Sequence, residues 1–534
     1  MREAAALPSA AQAWRSVMRG MRVRFDRRFA PRAAWSVALW TTLAVLSAWL
    51  ACELPKHPQT SHLGDDSEYL LMTESFVRHG SPEFQVLDIF KALGALPPRW
   101  QHTIARKYFP NPLGYFRAAD GRSFCWHFWT YPAFVAWVDR ALYGRRLDTR
   151  AFGYANGGLF CAALWSFLQL RRSPRLWLLL LPLAFFSPLL WFLPLAHTEP
   201  FVFSLGLAAS ICYLRQRYLL AILLNSIAAT QFQPLALLSV SFCVTAFATR
   251  LRLPAVRQSG LYWAAALAGL AITLVPSAFY FHHYGVTSLI ARERFAAARF
   301  MSLDKFLSMF IDLNDGMLTY LPGLLCMLIW ALPLTLRRAL QTRSAWHLLP
   351  WAFTMAVLWS ATSALGWNFQ TQGVSRYALY AVPGLLLLIA VELRARATLH
   401  PSALACIAIA FGLQLWVHAS FGWLKFRGHN CLHHNELAEY VLERWPSLYN
   451  PPPELFCART TRGRCFVDQD TGLVREQHLP VIFFGRDHRP LKALAVTCDP
   501  ERLLAAARWT PEQQARIRER LAACPARIPI YIDF

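Results

Sequence analysis

The chain has 534 residues, of which 55% are hydrophobic and only 16% charged, with 21 Trp. A soluble domain of ordinary make-up carries about 25% charged residues, and repeated apolar runs of about 15–22 residues parted by Arg-rich clusters instead mark a polytopic α-helical membrane protein. The formal net charge of +23 does not point to nucleic acid, because the basic residues fall in short loops between apolar runs and form no single stripe.

Met1–Arg32 holds eight Arg against Glu3 and Asp26. A basic segment over 1–33 is expected to stay in the cytoplasm, with Ala34–Cys52 crossing outward as an uncleaved anchor. Residues 53–126 are polar, irregular and too long for an ordinary connection, so they read as a functional outer loop with short surface helices. Phe128–Tyr143 is apolar and aromatic but contains Pro132, Asp139 and Arg140. As a helix lying in the outer interface over 127–143, it keeps every later loop in alternation.

The remaining crossings follow in turn. Phe152–Leu170 goes inward to Arg171, Arg172 and Arg175, and Leu176–Leu195 returns outward to His197-Thr198-Glu199-Pro200. Phe201–Leu214 goes inward to Arg215 and Arg217. Tyr218–Thr230 and Pro234–Ala248 are short and meet at Gln231-Phe232-Gln233, like two half-length helices. Leu261–Phe281 goes out, Met317–Leu336 comes in to Arg337 and Arg338, and Trp346–Leu365 goes out. Tyr377–Val391 comes in to Arg394 and Arg396, and Ala403–Phe421 goes out. That makes about eleven crossings in a membrane part spanning 34–424, each near the length a bilayer demands. Every Arg-rich hairpin lands inside.

Parity places His197–Pro200, His282–Gly316 and Gly366–Arg376 outside together with the first loop. Residues 425–534 are polar, contain Pro451-Pro452-Pro453 and have no span-length apolar run, so they read as a small outer soluble domain, α+β or irregular. Five of the twelve Cys fall there. In an oxidising compartment the expected pairs are Cys457–Cys465 and Cys498–Cys524, although spacing does not fix connectivity.

The chemistry-bearing stretch is Gly64-Asp65-Asp66-Ser67-Glu68-Tyr69-Leu70, with three carboxylates inside four residues directly after the first crossing. Asp65 or Ser67 could cap the helix that begins near Glu68, but a cap accounts for one acid. Asp65 as a general base with Asp66 as its partner accounts for two, and Glu68 suits the first turn of a helix dipole. Tyr69, Thr73 and Phe76 can pack along the same helix, and Tyr69 is also a candidate for substrate binding.

Gly-Asp-Asp-Ser-Glu-Tyr-Leu after a first transmembrane helix resembles the Gly-Asp-x-x-x-Tyr-Leu signature of bacterial GT-C glycosyltransferases, integral membrane enzymes that use lipid-linked sugars. Asp120-Gly121-Arg122-Ser123-Phe124-Cys125-Trp126-His127-Phe128 resembles their Gly-x-x-Tyr-Ser-Trp-His segment, from which Phe124-Cys125 departs. Phe186–Glu199 is similar to their third crossing, which ends at an outer-face acid. The resemblance implies that Asp65 takes the proton of an acceptor hydroxyl, which attacks the anomeric carbon of a polyprenyl-phosphate sugar, with inversion. It also implies an acceptor that is an envelope glycan, a lipid or a protein, and a place in the bacterial cytoplasmic membrane with the active site facing out.

A leaving phosphate needs preorganised positive charge on the outer face. Arg376 at the head of an inward helix fits that role, since guanidinium binds phosphate bidentately; an Arg reaching to lipid headgroups fits as well. Arg292 and Arg294 are second candidates, or one solvated face with Glu293. Glu199 could hold the acceptor or, with Asp65, a divalent cation; it also suits a helix N-terminus ahead of Pro200. His127 could bind a sugar or phosphate. No ligand spacing supports a metal at His282-His283 or at His429, His433 and His434. Asn314-Asp315-Gly316 reads as a turn. The rival reading is a transporter or flippase of a lipid-linked intermediate, whose claim rests on the break at Gln231–Pro234.

Overall fold

The computed structural model describes residues 32–57, 65–96, 98, 101–102, 105, 114–144, 147–250, 260–342, 348–367, 372–395, 401–429, 432–462, 466–467, 474–475, 481–485, 487–495, 498–523 and 530–534. Gly64, Cys431, Cys465 and Cys524, on which expectations rest, lie outside these residues, as does the basic N-terminal segment up to Pro31.

The fold is mainly helical. In chain order the principal helices are α1 (Arg32–Glu53), α2 (Asp65–His79), α3 (Val86–Gly94), α4 (Thr130–Tyr143), α5 (Arg150–Trp165), α6 (Pro174–Phe185), α7 (Glu199–Leu214), α8 (Tyr218–Ala229), α9 (Ala236–Arg250), α10 (Gly260–Ala271), α11 (Val275–Tyr284), α12 (Leu303–Ile311), α13 (Pro322–Thr342), α14 (Leu349–Ala361), α15 (Arg376–Arg394) and α16 (Pro401–Phe421). Among the described residues six helical stretches are long and apolar enough to cross a membrane, and five further apolar helices are shorter. Each of the eleven segments read from the sequence overlaps one of these, with shifted bounds: the one read as Met317–Leu336 runs over Pro322–Thr342, after a separate short helix Met317–Tyr320. The chain is a multi-pass membrane protein.

Breaks fall where the backbone demands them. α6 ends at Phe185 because Ser187, ahead of Pro188, is extended, with ψ 158°. α8 and α9 are the two expected half-length helices, joined by a turn over Gln233–Leu235. Asn225 ties them, donating to the Leu235 carbonyl and to Ser239 Oγ, both at 2.8 Å.

α7 and α15 are apolar on all sides and almost wholly buried, so they form the centre of the bundle. α1 instead exposes Val37, Trp40 and Val45, as a lipid-facing helix would. α13 and α16 touch backbone to backbone at Gly323, where an added Cβ would lie 2.2 Å from the Ala410 carbonyl oxygen. At one end of the bundle the last turns of α7, α13 and α15 meet. There Arg338 pairs with Glu392 at 2.9 Å and Arg394 donates to the Leu214 carbonyl. At the other end the first turns of α2, α7 and α15 meet. α7, α13 and α15 therefore run in the same direction through the bundle.

One expectation is corrected. The helix after the first crossing is not a surface helix: α2 is buried from Asp66 through Ser75. Leu70, Leu71 and Met72 pack into the main core, while its polar residues find partners inside the fold. α4 packs on α2 and α5, buries Asp139 and leaves Trp137 exposed. Arg140 donates to the Phe76 carbonyl at 2.6 Å.

The C-terminal residues form a layered α+β unit. An antiparallel sheet runs in the order Val481–Phe484, Pro490–Ala495, Ile530–Asp533. Alternation along these strands serves two cores. Val481, Phe483 and Leu494 pack with Leu442 and Phe456 on one face. Ala493, Ala495 and Ile532 pack with Trp509, Ile517 and Leu521 on the other. Cys457 and Cys498 are both disulfide-bonded, and their expected partners are outside the described residues.

Candidate active site

Three helix N-termini converge at the second end of the bundle. α2 begins with Asp65, Asp66 and Glu68 in its first turn, α7 with Glu199 and Pro200, and α15 with Arg376. Acids suit the first turn of a helix because its unpaired N–H groups and dipole are positive there. The clustering of the three ends, however, crowds the carboxylates and calls for bases between them.

Arg376 bonds the Asp65 carboxylate; the two side chains are 21% and 23% exposed, respectively. His127 Nε2 lies 3.4 Å from Glu68 Oε2 and 3.8 Å from Asp65 Oδ1. A second imidazole, His197, bonds Asp66 through Nε2 and stands 3.3 Å from Glu199 through Nδ1. The arrangement is thus two carboxylate–imidazole–carboxylate bridges, with Arg376 on the outer carboxylate of the first.

The bridges set the protonation of the groups. Burial by itself would raise the Asp65 carboxyl, but Arg376, followed by His127, holds it well below the usual carboxylate range. Burial would lower His127, whereas Asp65 and then Glu68 raise it above the ordinary histidine value. His197 is raised further, against its burial, by Asp66 and Glu199. The pairing therefore favours an ionised Asp65 and protonated imidazoles at His127 and His197.

The hairpin Tyr115–Arg117 with Ser123–Cys125 delivers His127. Tyr280 donates to the Trp126 carbonyl at 2.9 Å and Tyr284 to the Phe116 carbonyl at 2.6 Å, which fixes the hairpin to α11. Glu68 is the anchor from the other side. It accepts from Trp126 Nε1 at 2.6 Å and Cys125 Sγ at 3.6 Å, and its own carbonyl accepts from Tyr115 Oη at 3.0 Å. Gly114 presses against it at φ +82°, where a Cβ would sit 2.8 Å from the Glu68 carboxyl carbon.

Beside these charges opens a cavity of about 530 Å³. Its lining mixes the polar side chains Tyr69, His127, Thr198, Arg376 and Tyr380 with the apolar Phe232, Leu237, Pro276 and Ala361. Gln231 and Gln233, at the break between α8 and α9, line it as well. Tyr69 stands edge-on to Tyr131 at 5.7 Å, and Thr198 and Tyr380 share a hydrogen bond of 3.0 Å.

Asp65, His127, Tyr69 and Arg376 are thus brought together. Neither aspartate lines the cavity: Asp65 contacts its lining residues Arg376 and His127, whereas Asp66 is fully buried and engaged by His197. Glu199 is equally buried on the same imidazole, so it and Asp65 are held by different bases. Arg292 is half-exposed and pairs only loosely with Glu293, at 3.7 Å. Neither Arg292 nor Arg294 lines the cavity, although Ser288, Ile290 and Ala296 of the same loop do. No group of three or more His, Cys, Asp or Glu among the described residues is arranged to hold a metal. His434 is buried between Asn314 and Thr460, and burial, then Arg459, lowers it to about 3. Sequence reasoning missed His197 and the anchoring role of Glu68. The adjacent Trp126-His127 was the available signal for Glu68, and Glu199 two residues on was the signal for His197.

No protein-family model matches the chain, and neither does any curated protein sequence. Among solved structures, the archaeal oligosaccharyltransferase AglB from Archaeoglobus fulgidus, in complex with an inhibitory peptide and a dolichol-phosphate, matches over 78% of this chain with 11% sequence identity and a TM-score of 0.39. The chain spans 60% of the length of that structure.

Proposed function

We propose that the chain is a membrane glycosyltransferase of the GT-C kind. It would move a sugar from a polyprenyl-phosphate donor to a hydroxyl-bearing envelope glycan, lipid or protein on the outer face of the bacterial cytoplasmic membrane. The observation that carries the reading is the Asp65–Arg376 pair, whose guanidinium lines a cavity of mixed polar and apolar lining.

The acceptor oxygen attacks the anomeric carbon as the bond from that carbon to the phosphate oxygen breaks. The electron pair leaves with the lipid phosphate, and the hydroxyl proton passes to Asp65. Arg376 meets the phosphate charge. A donor phosphate that takes over the guanidinium withdraws the strongest influence keeping the Asp65 carboxyl low. Burial then moves that carboxyl upward, towards the range in which it accepts a proton. Donor binding thereby activates the base. His127 and Glu68 hold Asp65 in place, and Asp66, His197 and Glu199 form the buried support beneath it.

The transporter reading has one feature, the break between α8 and α9, which lines the cavity. Its residues Gln231, Phe232, Gln233 and Pro234 carry no ionisable group, and the acids gather at helix starts instead, which favours bond chemistry.

The test is donor consumption in nanodiscs with a panel of short-chain polyprenyl-phosphate sugars, comparing the native chain with Arg376→Ala. Turnover by the native chain that falls at least about tenfold in the variant supports the reading. Equal turnover removes Arg376 from it. A native chain that turns over no donor, yet moves a lipid-linked sugar across vesicles, establishes the transporter.

A further inference from the structure

The C-terminal unit touches the membrane part through a buried polar cluster that the proposed chemistry does not use. The Arg459 guanidinium, on the helix Pro453–Thr460, bonds the Asp315 carboxylate and donates to the His433 carbonyl at 2.6 Å. Arg459 and Asp315 are 3% and 0% exposed. Asp315 belongs to the expected turn Asn314-Asp315-Gly316, but the turn is wholly buried. Asp312 folds it, accepting from the backbone N–H groups of Asn314 at 2.7 Å and Asp315 at 3.1 Å and from Tyr449 Oη at 2.9 Å. Lys305 and Glu454, also buried, pair at 2.9 Å across the same junction.

One bond leads from this cluster to the site. The Asp315 carbonyl accepts the Ser375 N–H at 2.9 Å, and the next residue is Arg376. The approach to it is tightly confined: Val374 and Ser375 are fully buried, and Gly373 at φ +80° leaves no room for a Cβ beside the rings of Phe426 and Tyr320. Tyr320 is itself tied to the C-terminal unit, its hydroxyl accepting from Asn435 Nδ2 at 3.2 Å. A junction needed only for cohesion is served as well by apolar residues, whereas a buried ion pair defines one geometry.

We infer that Asp315 and Arg459 are positioning residues for Arg376, through which the C-terminal unit sets where the phosphate-binding guanidinium stands. The inference rests on the proposed role of Arg376.

The test uses the full chain in nanodiscs, with Arg459→Met and Arg459→Lys made in the native and Arg376→Ala backgrounds. Amide hydrogen exchange over residues 372–380 and donor turnover are both followed. Faster exchange over that segment in Arg459→Met, with kcat lowered about tenfold, partial rescue by Arg459→Lys, and no further loss in the Arg376→Ala background, supports the inference. The same fold-loss in both backgrounds means ordinary destabilisation and overturns it, as does unchanged exchange. If Arg459→Met does not fold, Tyr449→Phe loosens the same turn more gently and is subject to the same criteria. A native chain inactive on every donor refutes the glycosyltransferase reading; the exchange data then still decide whether the C-terminal unit holds the Arg376 segment.

Discussion

Asp65 and Asp66 are neighbours with opposite surroundings, and replacing each by Asn separates chemistry from support. Asn keeps the volume and removes the charge. At Asp65, 23% exposed and bonded to the cavity-lining Arg376, the change removes the base. General-base catalysis is typically worth about 10²–10⁴ in rate, or roughly 3–5 kcal/mol of barrier. The loss should fall on kcat. Donor binding should hold or tighten, because the phosphate no longer competes with a carboxylate for Arg376. At Asp66, fully buried against His197, breaking the pair should cost about 3–5 kcal/mol of stability. Single-turnover donor consumption, donor titration and thermal unfolding in the same nanodiscs measure all three quantities. Native kcat in Asp65→Asn, or lost turnover at native stability in Asp66→Asn, refutes the division of roles.

Glu74 supplies a pH prediction. Burial first, and then the Asp88 carboxylate beside it, push Glu74 from 4.5 to about 7. Below pH 4.5 both folded and unfolded forms hold the proton. Between 4.5 and about 7 only the folded form does, so stability falls as pH rises through that window, by about 3 kcal/mol in full. Glu74→Gln should therefore be more stable than the native chain at pH 8 and equal to it at pH 4; the same gap in unfolding midpoints at both pH values contradicts the assignment. Gly323→Ala should separate α13 from α16, because its methyl group would lie 2.2 Å from a backbone oxygen that has no side-chain freedom to yield. Overpacking of this kind costs about 1–3 kcal/mol, and a native melting profile for this variant would show that the helices do not approach so closely.

The sequence by itself determined the membrane class and the apolar helices, because run length is a local property that the bilayer reads directly. Parity alone also led it to expect Asp65, His127 and Arg376 at the same end of the bundle, where they meet. Only the tertiary structure decided what each group faces. Asp65 and Asp66 look alike in sequence, but adjacent positions on a helix point about 100° apart, so one meets Arg376, 311 residues away, and the other meets His197. Glu68 read as a first-turn acid because its Trp126 partner lies 58 residues further on. The turn at Asn314-Asp315-Gly316 was legible as a turn, but not as the junction closed by Arg459, 144 residues later. Local pattern sets which segments become helices; a charge acquires its partner only when packing brings distant helix ends to one place.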